Sequence, residues 1–239
     1  MGNDTQFFAF LKFTSKENYA DGFLNGDWYS NTANHFIQLE KETNKRGQGD
    51  KNEVSYNMPH IGIKIIDPAT KKVILETKTA SGRIFRNEDG ETPLICMVGI
   101  RPCDLIEDEQ FKGQSVYKLP FSTKEYEEMN STFGEWCLLI TVDAMAKRIK
   151  ELDTKFNVNF SQIKYVNPSD EEKALVYFQS KPERFFYKDE DLSYQREFRI
   201  CIHTAMPNNR IFKVAPLKKN EAIKCRSKDL EGIRFIKDR

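Results

Sequence analysis

The sequence predicts an α+β protein: a single compact domain over residues 1–239, with a mostly antiparallel or mixed sheet and helices packed on it. Two observations lead there. Short, almost continuous apolar runs such as residues 6–13 (QFFAFLKF) and 94–100 (LICMVGI) have the length and content of strands buried on both faces. Between such runs, polar capping residues introduce stretches whose apolar positions recur at helical spacing. No internal repeat, low-complexity tract or long linker interrupts the pattern. A division into two units, the alternative, would fall near residue 120.

The elements follow in order. After the first strand, Thr14 or Ser15 caps a helix that carries the i,i+4 pair Tyr19 and Phe23 to Asn25, and Gly26 stops it. Residues 27–30 (DWYS) read as a short strand or turn, and residues 31–42 as a second helix with Phe36 and Leu39 inward. Residues 44–52 (NKRGQGDKN) read as a Gly- and charge-rich loop. Residues 60–66 and 72–78 alternate around DPAT, the pattern of a β-hairpin. Ser122 and Glu125 fit the capping box of a helix running through Met129. Residues 135–142 form a strand, and Asp143 caps an amphipathic helix with Met145, Ile149 and Leu152 on one side. Residues 195–203 and 210–215 flank MPNN as a closing hairpin. The basic tail (Lys218, Lys219, Lys224, Arg226, Lys228) offers contacts to phosphates, but it is diluted by Glu221, Asp229 and Glu231 and reads first as a solvated helix face.

Composition excludes several classes of function. Apolar residues at 39% and charged residues at 31% suit a folded globular chain. A net charge of +1 gives no long-range field to draw nucleic acid, and no acidic metal cluster supports a nuclease. No apolar run approaches the roughly 18–20 residues that span a bilayer. The opening MGNDTQ lacks a cationic region, an apolar signal core and the Ser/Thr that myristoylation wants at its sixth position. A cytoplasmic protein away from membranes is expected. The five cysteines include no C-x-x-C pair, which argues against a disulfide framework or zinc knuckle. Cys96, Cys137 and Cys201 sit in strand-like runs as buried thiols. His35, His60 and His203 lack ligand spacing, so no metal site is expected.

Three places carry candidate chemistry. Lys12 is the first charge after an apolar run and emerges at the strand's end near Tyr29 and Ser30. Its plainer role is a lysine reaching for water from the sheet's rim. The stretch from Asn34 through Glu40 to Gly49, Asp50 and Glu53 gathers polar groups and carboxylates. Its glycines fit neither a dinucleotide fingerprint nor a P-loop, and a flexible surface loop is the simple expectation. In the late strand, period two puts Phe198, Ile200 and Ile202 on the core face and Glu197, Arg199, Cys201 and His203 on the other. A carboxylate beside a guanidinium there either orients a hydroxyl- or phosphate-bearing ligand or forms an ion pair on the polar face of a sheet.

The order of the pieces resembles a large, uncharacterised family of bacterial and phage proteins found near antiviral defence genes. The shared features are a strand–helix–Gly–Tyr/Phe-Ser unit, an Asn/Asp-rich segment ending in Glu, and a late aromatic-x-x-Glu-x-Arg strand. Here these are residues 10–13 (FLKF), 26–30 (GDWYS), Gly49-Asp50 with Glu53, and residues 194–199 (YQREFR). The family's Asn-Asp-Pro-x-Glu run is replaced by Gly-Asp-Lys-Asn-Glu. The N-terminal unit also looks like the entry of the ADP-ribosyltransferase fold. That resemblance implies NAD as the ligand, Lys12 on the nicotinamide ribose, Tyr29 and Ser30 supporting the nicotinamide, and Glu197 assisting glycosidic cleavage, with Arg199 beside it. Lys12 stands where the fold has Arg or His, and it lacks Arg's bidentate fork.

Two functions of different class follow. One is a nucleotide- or NAD-handling enzyme of a phage–bacterium conflict system. The other is a non-enzymatic interaction protein, such as a phage-encoded inhibitor or trigger that binds a bacterial defence protein. Geometry separates them: the enzyme needs Lys12, Tyr29 and Glu197 within one ligand's reach around a concave pocket.

Overall fold

The computed structural model describes residues 7–111, 113–167 and 170–236, so Gln6, expected in the first strand, lies outside the described residues. The apolar run forms β1 (Ala9–Thr14). In α1 (Glu17–Leu24) the N-cap is Lys16, with no side-chain cap, in place of the expected Thr14 or Ser15. The Thr14 hydroxyl instead donates to the Lys16 carbonyl at 3.1 Å. Gly26 follows at φ 87°, where a Cβ would collide with the Val214 carbonyl, so only glycine fits. Next come β2 (Asp27–Tyr29), β3 (Asn31–Thr32) and α2 (Ala33–Thr43), capped by the Thr32 hydroxyl accepting from His35 N–H at 3.2 Å. The DPAT hairpin forms as β4 (Tyr56–Ile66) and β5 (Val73–Ile84), longer than its sequence signal. Its turn is held by Asp67 Oδ1, which accepts from the N–H groups of Ala69 and Thr70.

A short α3 (Asn87–Gly90) leads to the buried β6 (Pro93–Ile100) and then β7 (Ile106–Phe111) and β8 (Gln114–Lys118). The capping box closes on α4 (Thr123–Phe133): Ser122 Oγ accepts from Glu125 N–H, and Glu125 accepts from Ser122 N–H at 2.7 Å. After β9 (Trp136–Thr141), α5 (Val142–Lys155) is capped by Thr141, two residues earlier than the expected Asp143. The chain continues through β10 (Val158–Gln162), β11 (Lys164–Val166), α6 (Glu171–Phe178), β12 (Tyr187–Asp189), β13 (Glu197–Ile202), β14 (Ile211–Lys213), β15 (Ala222–Arg226) and β16 (Phe235–Ile236).

The central sheet runs β10-β13-β6-β1-β9-β15, with β3 also on β6 and every pair antiparallel. Its middle strands are covered on both faces, which is why they read as unbroken apolar runs. On one face Phe10, Ile95, Leu138, Phe198 and Ile200 pack with Phe23 of α1 and Met145, Ile149 and Leu152 of α5. On the other, Leu11, Val98 and Leu139 pack with Tyr126 and Met129 of α4. The α+β expectation therefore holds.

Two expectations about the C-terminal part fail. Residues 195–203 and 210–215 do not form a hairpin: β13 lies between β10 and β6, and β14 pairs with β2, with Phe212 opposite Trp28. The basic tail is no helix face either. Its Lys224 and Arg226 lie on β15, where Lys224 pairs with Glu17 and Asp21 and Arg226 with Glu135. Among the described residues no helix is long and apolar enough to cross a membrane.

Candidate functional site in a parted sheet

β1 pairs with β9 along its whole length but with β6 only through Ala9–Leu11 opposite Ile100–Val98. Leu94, two residues before Cys96, pairs instead with Asn31 of β3 on the same flank, since β13 occupies the other. Among the described residues no strand lies beside residues 95–97 on that flank, and the sheet parts there. The ladder's alternation directs the main-chain groups of Cys96, like the Ile100 carbonyl that accepts from Phe8 N–H, into the parting. Lys12 fills part of the space, its Nζ donating to the Cys96 carbonyl at 2.7 Å. A lysine in a strand position is thereby turned into a substitute for a missing ladder bond.

The parting opens as a cleft of about 280 Å³. Its walls combine Lys12 and Phe13 of β1, Tyr29, His35, Phe36 and Leu39 from the β2–α2 segment, Cys96 of β6 and Phe133 of α4. Glu53, Lys188, Gln195 and Glu197 line it as well. Of the α2 expectation, Phe36 does pack against the core beside Ala33 while also lining the cleft. Leu39 is the correction: it lines the cleft, and Ile37 and Glu40 are the buried residues instead.

Residues 44–53, expected as a flexible surface loop, fold back onto α2. Asp50 N–H donates to the Phe36 carbonyl at 3.1 Å, and Lys51 N–H to the buried Glu40 carboxylate at 2.6 Å. Gly49 lies so close to α2 that a Cβ would stand 2.7 Å from the Phe36 carbonyl oxygen. Arg46 ties the segment to Asp189 and Asp191 at 3.0 and 2.7 Å. The consequence is that Asp50 and Glu53, 2% exposed each, are carried under the roof of the cleft.

There Glu53 meets β13. All six of its residues are buried; Phe198, Ile200 and Ile202 face the α1–α5 core, as period two predicts, and Glu197 and Arg199 face the other way. Glu197 contacts Lys188 Nζ at 2.6 Å and Arg199 at 2.8 Å. Arg199 reaches Glu53 at 2.7 Å and donates to the Phe185 carbonyl at 2.7 Å. Lys188 also donates to Gln195 Oε1 at 3.3 Å, whose Nε2 donates to the Gly47 carbonyl at 3.0 Å. Two carboxylates and two cations thus form a closed, charge-balanced network, which is what makes four ionised groups tolerable out of water.

The network sets protonation states. Burial alone would raise Glu197, but Arg199 and Lys188 outweigh it and hold its pKa at about 2. Lys188 suffers burial too, yet Glu197 and Glu53 keep it above the ordinary lysine value. Asp50 is pushed the other way: burial, and then the charge of Glu53, raise it to about 6. Burial lowers Lys12 from the lysine value, partly offset by Cys96 and Glu197. Burial, then Glu197, push the Cys96 thiol up to about 12, which makes it a poor nucleophile. Burial and then Arg210 lower His35, so its ring is neutral at neutral pH.

Of the residues singled out from sequence, Lys12, Tyr29 and Glu197 line one cleft. Arg199 lies behind Glu197, 0% exposed, as its ion partner. Ser30 is buried to one side, its hydroxyl donating to Met206 Sδ at 3.2 Å, and is not among the lining residues. Among the described residues no group of three His, Cys, Asp or Glu side chains is placed to hold a metal ion. Lys188 and the Cys96 carbonyl escaped the sequence reading, and Gln195, inside the 194–199 motif, carries no role in it. Only the period-two pattern of a three-residue strand could have pointed to Lys188, and that is too short to carry a signal.

No family model, curated protein or solved structure matches the chain.

Proposed function

We propose that the cleft binds a ribonucleoside-type ligand, with NAD as the leading substrate, and that the protein is an ADP-ribosyltransferase-like enzyme of phage–bacterium conflict. The observation that carries this reading is the convergence of Lys12, Tyr29 and Glu197, from three separate strands, on one cleft. At about 280 Å³ the cleft sits at the small end of ligand pockets, roughly 300–1,000 Å³. It suits one nucleoside, with the rest of a dinucleotide outside. Tyr29, Phe36 and Phe133 offer flat faces for a heterocycle, and Lys12 offers a donor or a charge.

Glu197 then has a defined role. With its pKa at about 2 it is anionic at any physiological pH, so it cannot act as a general acid. Each carboxylate oxygen holds one cation, leaving a lone pair to accept from a ribose hydroxyl or to face positive charge. The reaction breaks the C–N glycosidic bond, the electron pair leaving with nicotinamide. Positive charge develops on the ribose through an oxocarbenium-like transition state, and a nucleophile adds to the anomeric carbon as its proton leaves. A fixed carboxylate beside that carbon stabilises the charge without reorganising.

Calorimetric titration with NAD⁺ and ADP-ribose, combined with a nicotinamide-release assay, tests the proposal. Micromolar binding is expected, with release by the wild type and at least a hundredfold less by Glu197→Gln. Because Glu197→Gln also breaks a buried network, Tyr29→Ala, at a 49%-exposed position, serves as the second variant and should weaken binding. Absence of both heat and turnover would sink the enzyme. The second reading, a non-catalytic protein that binds a defence component, is favoured by one observation: the far part of the β4–β5 hairpin is apolar and exposed.

A further inference from the structure

Among the described residues, the two most exposed large apolar side chains are Ile74, at 67%, and Phe178, at 62%. They belong to two neighbouring elements. Around Ile74 the hairpin also exposes Ile65, Ile66, Val73 and Leu75, and its turn carries the exposed Lys71 and Lys72. Around Phe178, α6 exposes Leu175 and Glu171, which with Phe178 fall at i, i+4 and i+7 on one helix face. The opposite face of α6, with Val176 and Tyr177, packs on Tyr56 at the base of the hairpin. One patch is apolar with two cations, beside Asp67, whose carboxylate serves the turn's own N–H groups, and the other is apolar with an anion.

The hairpin cannot satisfy the helix of its own chain. Its strands have 11 and 12 residues, about 35 Å at the strand rise, so its turn stands far from its base and from α6. A two-fold axis removes that obstacle, because two antiparallel arms that cross bring each turn to the other chain's base. Strand-to-strand pairing is not the mode. The β4–β5 register is broken between Met58 and Ile61, between Ile61 and Ile63 and between Ile65 and Ile66, which spoils the regular flank another strand would need.

We propose that the partner of the hairpin is a second copy of this chain: in a two-fold dimer the Ile74–Leu75 region of each arm covers Leu175 and Phe178 of the other, with Lys71 and Lys72 facing Glu171. Both patches are then covered at once, the self-complementarity that an isologous interface demands. The proposal is independent of the ligand in the cleft.

Sedimentation velocity and light scattering on the full chain, from sub-micromolar to about 100 μM, test it. A dimer is expected. Ile74→Asp and Phe178→Asp, both at exposed positions, should each weaken it at least tenfold while circular dichroism stays unchanged. Lys71→Glu/Lys72→Glu should also weaken it, and adding Glu171→Lys should restore it. A monomer throughout, as an arm meant for another protein would give, overturns the proposal. So does a dimer indifferent to Ile74→Asp and Phe178→Asp, or a charge reversal that fails to restore assembly.

Discussion

Asp50 and Glu197 both feel the same buried charges and yet titrate in opposite senses. Asp50 has a carboxylate, Glu53, as its strongest charged neighbour, whereas Glu197 has two cations. With a folded pKa of about 6 against an ordinary 3.8, Asp50 binds its proton more tightly in the native state. Its favourable contribution is complete below pH 3.8 and is lost as the pH rises through 6. Two pKa units correspond to roughly 3 kcal/mol. Asp50→Asn keeps the acceptor that serves Asn52 N–H at 2.9 Å but removes the charge. In urea melts it should be more stable than wild type by roughly 1–3 kcal/mol at pH 8, and the difference should vanish near pH 4. At this scale the sequence was legible where alternation speaks, as for Glu197 and Arg199 against Phe198 and Ile200. It was silent on Lys188, whose burial is imposed by chain segments far away.

At the scale of elements, most signals confined to a few residues read correctly, although the caps of α1 and α5 fell on Lys16 and Thr141 instead of the expected residues. The Ser122–Glu125 capping box and the DPAT turn each depend on contacts within four positions. Readings that needed a distant partner failed. MPNN is a fair hairpin signal, but β14 finds β2, some 180 residues earlier in the chain, because Phe212 and Trp28 share a core. Leu39 of α2 read as core because hydrophobicity does not say whether a packed wall or a cleft faces it. The 44–53 segment was misread for a related reason: its glycines suggested freedom, while Gly49 is there for close approach to α2. Gly49→Ala should therefore cost roughly 1–3 kcal/mol. It should also speed proteolytic cleavage within residues 44–53 under native conditions; cleavage at the wild-type rate would contradict the packing described.

For the whole molecule the fold class was legible and the strand order was not, since each neighbour in β10-β13-β6-β1-β9 is distant in sequence. The charge network has a consequence at this scale too. Glu197, depressed from 4.5 to about 2, stabilises the fold above pH 4.5 and loses that contribution as the pH falls towards 2, again roughly 3 kcal/mol. Together with Asp50 acting on the alkaline side, this places the network's optimum near pH 4–5. A stability profile by urea denaturation should fall on both sides of that range, most steeply below it. A profile flat from pH 5 to 2.5 would mean that the Glu197–Arg199–Lys188 cluster does not hold the fold as drawn.

An antiparallel sheet ordinarily has two rims, and both are hazards because unpaired main chain recruits other chains. By letting β1 and β3 share one flank of β6 with a gap between them, this protein has a third rim at residues 95–97, in the middle of its core. α2 and the 44–53 segment fence it off from any passing strand. What remains admissible is a guest small enough to enter the cleft and bring its own donors and acceptors. Under the proposed ligand-binding reading, unpaired main chain, elsewhere a source of aggregation, would here serve to tell one small molecule from another.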